Sequence, residues 1–314
     1  MTSRSTRRSR SGRAAPPSVG ATRRAAPPGG RAERRRAAER STFDDTMRAL
    51  DGLACAGALV SLRVIDLDRG TEVVAGDDHV VMPIGGLGTV AVLIETAAAL
   101  DEGRLDAEEL IDRSTIEPVS VGGVWHRLAA PSLSIADLAV LAAAMGDATA
   151  SNALLDRVGQ GAVRERLTSL GMRDLAVLDR FRDARGPDDA PHEALGTTRE
   201  LADLFRSLLN ARVVSPAVSA QVAEWLSLGQ DLSLVAAATG LDPAAHDDDR
   251  YQLLFVNKTG RADGVRAEAG ALGGPRASVA YALAVCFDDL SIVHRVRVHD
   301  AFHTLGVDLM EFVH

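Results

Sequence analysis

The stretch VMPIGGLGTVAVLIETAAAL, residues 81–100, decides how this chain is read. From Gly88 to Leu100 it is almost continuously apolar, with Val90, Ala91, Val92, Leu93, Ile94, Ala97, Ala98 and Leu100 covering every side of a helix. A helix of that kind runs through the centre of a domain rather than over its surface. Upstream, a short helix is expected over Phe43 to Leu53. The alternation of Ala58 to Asp66, the turn at Asp68-Arg-Gly70 and the return over Glu72 to Gly76 then read as a β-hairpin. Downstream, helical periodicity marks Ser134–Ala144, Ala148–Val158, Ala162–Leu170, Thr198–Leu209 and Pro216–Leu226. Strand character returns only at Leu253–Asn257, Ala267–Leu272 and Ser278–Cys286, before a last helix over Ile292 to Leu305. A hairpin, many helices, three strands and a terminal helix imply an α/β (α+β) fold. One antiparallel sheet is built from both ends of the chain, flanked by helices, with an all-α part inserted over roughly 85–225.

Composition bounds the rest. The 314 residues are 46% hydrophobic and 25% charged, in the range of soluble globular chains, but only 4% aromatic. The core must therefore be built from Ala, Val and Leu. Twelve arginines against two glutamates put the first forty residues at +10, so the remainder carries −18 of a whole-chain −8. Residues 1–41, rich in Arg, Ala, Pro, Gly and Ser, are expected to be a disordered arm ahead of a single unit over 42–314. The arm has two readings: a phosphate-neutralising tether to nucleic acid or anionic lipid, which is disfavoured, or translated upstream sequence ahead of a start at Met47. The acidic remainder suggests no nucleic-acid face. Arg7-Arg8 and Arg23-Arg24 are not followed by an apolar segment of export-signal length, so the expectation is a cytoplasmic protein. Cys55 and Cys286 read as buried small apolar side chains or, if their strands are neighbours, as adjacent free thiols.

Three clusters carry chemistry. The first lies in Val81 to Val90, with Pro83, Gly86 and Thr89. Sixty residues after Gly86 comes the second, Gly146-Asp147-Ala148, followed by Thr149, Ser151, Asn152 and Leu154-Leu-Asp-Arg-Val-Gly159. The third is Phe255-Val-Asn-Lys258-Thr259-Gly260 with Gly264-Val-Arg266 behind it. Lys258 is the only lysine in the chain. In this order and spacing the chain resembles the class A β-lactamase-like, penicillin-recognising serine hydrolases of actinobacterial type, over about Phe43 to Leu309.

That resemblance implies a Ser-x-x-Lys at the start of the buried helix, a Ser-Asp-Asn loop and a Lys-Thr-Gly strand. The lysine lies one turn after the serine, on the same helix face, and assists its deprotonation. Here Gly86 stands at the serine, Thr89 at the lysine, and Gly146-Asp147-Ala148 at Ser-Asp-Asn. Leu178-Asp-Arg-Phe-Arg182 places Arg182 at the deacylating glutamate. Only Lys258-Thr259-Gly260 is intact, with Arg266 where relatives often bind a substrate carboxylate.

Glycine cannot attack a carbonyl, and loss of the nucleophile alone removes on the order of 10⁶ in turnover. The expectation is a catalytically silent homologue with no cofactor. It is expected to keep a pocket around Lys258, Thr259, Gly260, Asp147 and Arg266 for a β-lactam- or peptidoglycan-like carboxylate ligand, or to serve as a protein-interaction module. The alternative is a weak or noncanonical amide or ester hydrolase using Thr89, Ser151 or Thr149. His299-Asp-Ala-Phe-His303, with His294 upstream, imitates a zinc helix but lacks its glutamate and a third ligand. These histidines are expected to face solvent. His246-Asp-Asp-Asp249 reads as a solvated loop.

Overall fold

The computed structural model describes residues 42–120, 122–243 and 252–314. The arm over 1–41 and the His246–Asp249 loop lie outside the described residues. The described residues open with α1 (Asp44–Cys55) and the hairpin β1 (Leu59–Asp66) and β2 (Thr71–Gly76). The two-residue β3 (Met82–Pro83) leads through a 3₁₀ turn over Gly85–Gly88 into α2 (Thr89–Asp101). The short strands β4 (Leu110–Asp112) and β5 (Ser132–Ser134) precede α3 (Ile135–Ala144), α4 (Ala148–Val158) and α5 (Gln160–Ser169). Then come β6 (Ala176–Val177), β7 (Ala194–Gly196), α6 (Thr198–Leu209) and α7 (Pro216–Ser227). The chain closes with β8 (Leu254–Ala262), β9 (Val265–Gly273), β10 (Ser278–Cys286) and α8 (Ile292–Val313).

The main sheet has the order β2-β1-β10-β9-β8, with each of these neighbours antiparallel. It is the expected α/β fold, with strands from both ends of the chain and helices on either side. Alternation along β10 explains the two faces. Val279, Tyr281, Leu283 and Val285 join the cluster under α1 and α8. Ala280, Ala282 and Ala284 point the other way, and these small side chains let α6 lie close against the sheet. Beyond α6, helix α2 runs through the helical half, with every residue from Thr89 to Ala99 buried. The one charge in that buried stretch, Glu95, is held by Arg104 and Arg166, each at 2.7 Å.

Most boundaries lie within a few residues of the sequence reading, and two elements run well past it. The last helix continues to Val313 rather than stopping near Leu305. Gly306 is a point of close approach and not a terminator: a Cβ there would lie 2.2 Å from the Val235 carbonyl oxygen. Leu309, Phe312 and Val313 carry the apolar stripe onward, and Asp308 accepts from the Thr46 N–H (3.1 Å) and hydroxyl (2.6 Å), tying α8 to α1. Strand β8 continues past Asn257 through the whole Lys258-Thr259-Gly260 segment, because Arg261 pairs with Arg266 and Ala262 with Val265 across the turn at Asp263-Gly264. Cys55 is exposed rather than buried, and it and Cys286 are free thiols; burial pushes the Cys286 thiol up to about 11.

Candidate functional site

The site grows from the contact between the Gly85–Gly88 turn and the edge strand β8. The packing is so close that Gly85 and Gly88 of the turn and Gly260 of β8 have no room for a side chain. A Cβ on Gly85, which has φ +55°, would lie 2.8 Å from the Arg261 nitrogen. One on Gly260 would lie 1.9 Å from the Ile84 oxygen, and one on Gly88 2.5 Å from the Ala194 Cβ. Gly86 is different. Its nearest neighbour is the Thr259 carbonyl oxygen, 3.8 Å from the Cβ position, which is ordinary van der Waals distance. Glycine is thus sterically required around position 86 but not at it.

One turn further, Thr89 is 2% exposed, and its hydroxyl lies 3.3 Å from that of Ser151. Ser151 donates to the Asp147 carbonyl (2.8 Å), and Thr149 is engaged with the Val119 backbone. These hydroxyls are buried in packing between α2 and α4. Gly146 sits at φ +59°, and the Lys258 Nζ lies 3.3 Å from where its Cβ would be. The structure therefore brings Gly86 to Thr259 and Gly146 to Lys258. Lys258 is 6% exposed, and burial pushes its ammonium down, against the attraction of Asp231 and Glu268.

Asp147 is fully buried and accepts three backbone N–H groups. Ala150 at 2.9 Å makes it the N-cap of α4, while Val124 and Trp125, both at 2.7 Å, pin the preceding loop. Ala148 is the first residue of α4. Asn152 clamps a second loop by a reciprocal pair with the Phe181 backbone, at 2.8 and 2.9 Å. Arg182, next to that clamp, is committed to Glu117, with Asp179 and Asp189 close by.

Thr259 faces the opposite way from Lys258, and its hydroxyl donates to Asp231 at 2.7 Å. Desolvation pushes the Asp231 carboxyl up, but hydrogen bonds from Ser233 and Thr259 and the Lys258 charge outweigh it, holding the group below its ordinary range. Beside this pair opens a cavity of about 400 Å³, with Arg261, Arg266, Arg295 and His299 on its walls. Arg266 is 8% exposed and uses Nη1 to donate to the Ala262 and Val265 carbonyls. Burial pushes the His299 imidazole down, and the Arg266 charge adds to that.

Arg261, Arg295, His299 and Asp231 were missed by sequence reasoning. The spacing of Arg295 and His299, four residues apart and so on one helix face, is the available signal. The histidines do not share the solvent-facing role expected of them. His294 is buried against the Phe287 ring (centroids 5.3 Å apart), His299 lines the cavity, and only His303 is exposed. Among the described residues no group of three or more His, Cys, Asp or Glu side chains is placed to hold a metal ion. None of the described helices is long and apolar enough to cross a membrane.

Behind the cavity, Glu268 is wholly buried. It accepts from Asn257 (2.8 Å), Tyr281 (2.7 Å) and the Val235 N–H (2.8 Å). Burial pushes its carboxyl up to about 7, more than these three donors pull it down. A pKa raised on folding means stability that is fully present below the unfolded value, near 4.5, and lost as pH rises through 7. Glu268→Gln should therefore gain on the wild type by up to about 3 kcal/mol between pH 4.5 and 8. Urea unfolding at both pH values checks this, and a difference that does not change with pH would count against it.

The Beta-lactamase enzyme family matches residues 43–313. Among solved structures, the chain is similar to a β-lactamase from Sphaerobacter thermophilus, at 20% identity and a TM-score of 0.74, covering 86% of this chain and 97% of that one. It is also similar to a β-lactamase from Xanthomonas campestris pv. campestris (18% identity, TM-score 0.69, 87% and 99% covered). A third is a variant of PBP-A solved as an acyl-enzyme complex with penicillin G (18% identity, TM-score 0.69, 85% and 95% covered). No curated protein matches the chain.

Proposed function

The chain belongs to the beta-lactamase enzyme family, and from that premise we propose that it is a catalytically silent member whose cleft keeps a binding wall and has lost its acyl-transfer chemistry. The observation that carries this reading is Gly86. It occupies the nucleophile's place at the entrance to the buried helix, in a position where a side chain would fit and none is present. Steric need does not explain this glycine, whereas it does explain Gly85, Gly88 and Gly260.

The neighbouring groups support the same reading. Thr89 stands where the assisting lysine would, yet it is buried, and among the described residues its hydroxyl pairs with that of Ser151 rather than with a base. Asp147 is consumed by three backbone N–H groups, and Arg182 by carboxylates. The retained wall is Lys258, Thr259, Gly260 and Arg266, and the ligand it suits is a small molecule bearing an acidic group.

The test is steady-state hydrolysis of a chromogenic cephalosporin. The full chain should show no turnover above buffer, and multiple turnovers per molecule would overturn the reading. Gly86→Ser should fold with a Tm within roughly 2–3 °C of the wild type. Alone it should remain inactive, because Thr89 cannot take the serine proton.

A further inference from the structure

The walls of the cavity are unbalanced in charge. Arg261, Arg266 and Arg295 all line it, and none forms an ion pair with a described residue. Among the described residues the Arg295 Nε is buried without a hydrogen-bond partner, and the Arg266 side chain donates from one nitrogen to two backbone carbonyls. Arg261 and Arg295 each repel the charge on Arg266, which Asp231 and Asp263 only partly offset. Asp231, the one carboxylate among the described residues of the cavity wall, accepts from Ser233 and the Thr259 hydroxyl. The three guanidinium groups and Asp231 therefore leave the walls at a net of two positive charges with His299 neutral.

Guanidinium forks match oxyanions in two-point geometry, and three like charges lining one recess repel one another, which an anion bound between them relieves. A volume of about 400 Å³ is also that of a small-molecule pocket rather than of a single-ion niche. We propose that this cavity, between the β8–β9 hairpin and the first two turns of α8, binds a doubly charged oxyanion of phosphate type through Arg261, Arg266 and Arg295, with His299 at its side.

Asp231 gives the site its second property. Its carboxylate already accepts from the Thr259 hydroxyl at 2.7 Å, so an incoming acidic group is turned away from Thr259 and toward the arginine wall. The inference rests on the silent-homologue reading in that it treats the pocket as a binding site; it replaces the simple carboxylate on Lys258 and Thr259 with a dianion on the arginines. The phosphate group belongs to a free ion or to a monoester, and the probes separate these.

Isothermal titration at constant ionic strength with inorganic phosphate, phenyl phosphate and acetate tests it. The full chain should bind phosphate or phenyl phosphate at least tenfold more tightly than acetate, with phenyl phosphate tighter if the natural ligand is a monoester. Arg261→Gln and Arg295→Gln, which spare the backbone contacts of Arg266, should each weaken phosphate binding tenfold or more. Asp231→Asn, which can still accept from Thr259, should tighten it several-fold; circular dichroism confirms that each variant is folded. No binding of either phosphate probe, equal binding of acetate, or binding untouched by the two arginine changes would overturn the proposal. If Lys258→Gln abolishes binding while Arg261→Gln and Arg295→Gln do not, the dianion site fails but the silent-homologue reading stands. Cephalosporin turnover would remove that reading whatever the titrations show.

Discussion

Asp147→Ala should destabilise the protein by roughly 4–5 kcal/mol, although Asp147 occupies a position that suggests chemistry. The carboxylate is wholly buried, and its oxygens take N–H groups from Val124, Trp125 and Ala150. Removing it strands three backbone donors, two of them fully buried, each bond to a charged acceptor contributing about 1.5–3 kcal/mol with partial overlap among them. The loop before Trp125 is fitted to this side chain: a Cβ on Gly123 would lie 2.3 Å from the Asp147 carboxyl carbon. Urea unfolding of the variant reads the loss directly. A change below about 1 kcal/mol would mean that Asp147 is held ready for a ligand and not for the fold.

Gly260→Ala should lose about 3–4 kcal/mol, a fall of roughly 6–14 °C in Tm. The added methyl would have to occupy space 1.9 Å from the Ile84 oxygen and 3.0 Å from the Leu87 Cβ. Both atoms belong to the rigid entrance of α2, so neither can swing aside as a flexible side-chain tip would. Either β8 or the Gly85–Gly88 turn has to move. Gly86→Ala, on the same turn, is the control and should shift Tm by no more than roughly 2–3 °C, since its Cβ would meet only the Thr259 oxygen at 3.8 Å. Equal losses in the two variants would show that the turn is intolerant as a whole and would remove the argument that Gly86 is sterically optional.

The fold was legible wherever local signals agreed. Helix α4 begins at Ala148 because Asp147 caps it, and α6 at Thr198 because Thr197 accepts from Glu200; both starts were readable from cap residues ahead of an apolar stripe. Ser278–Cys286 was readable as a central strand from its continuous apolar run. What was lost had physical causes. Lys258-Thr-Gly broke the apolar pattern of β8, although Asp263-Gly264 was a hairpin signal able to extend it. Gly306 looked like a stop and proved to be a contact with Val235. The strands β3, β6 and β7 are two or three residues long, too short for any period to register.

The site divides in the same way. Lys258, Thr259, Gly86 and Gly146 were found from motif spacing, and the structure places them together in two pairs. The cavity wall was not found, because Asp231, Arg266 and Arg295 come from a loop, a strand and a helix that no local pattern connects. Only the register of β8 with β9 and the packing of α8 bring their charges within reach of one another.

The most direct measurement is the intact mass of the full-length protein after prolonged incubation with excess penicillin G. Acylation needs one nucleophile and one turnover, so this detects even a dead-end reaction that steady-state hydrolysis would miss. On the proposal that Gly86 stands in the nucleophile's place, the mass should remain that of the unmodified chain. A stable adduct of one penicillin per molecule would contradict the account, and peptide mapping of the adduct to Thr89, Thr149 or Ser151 would identify the group that had taken the serine's place.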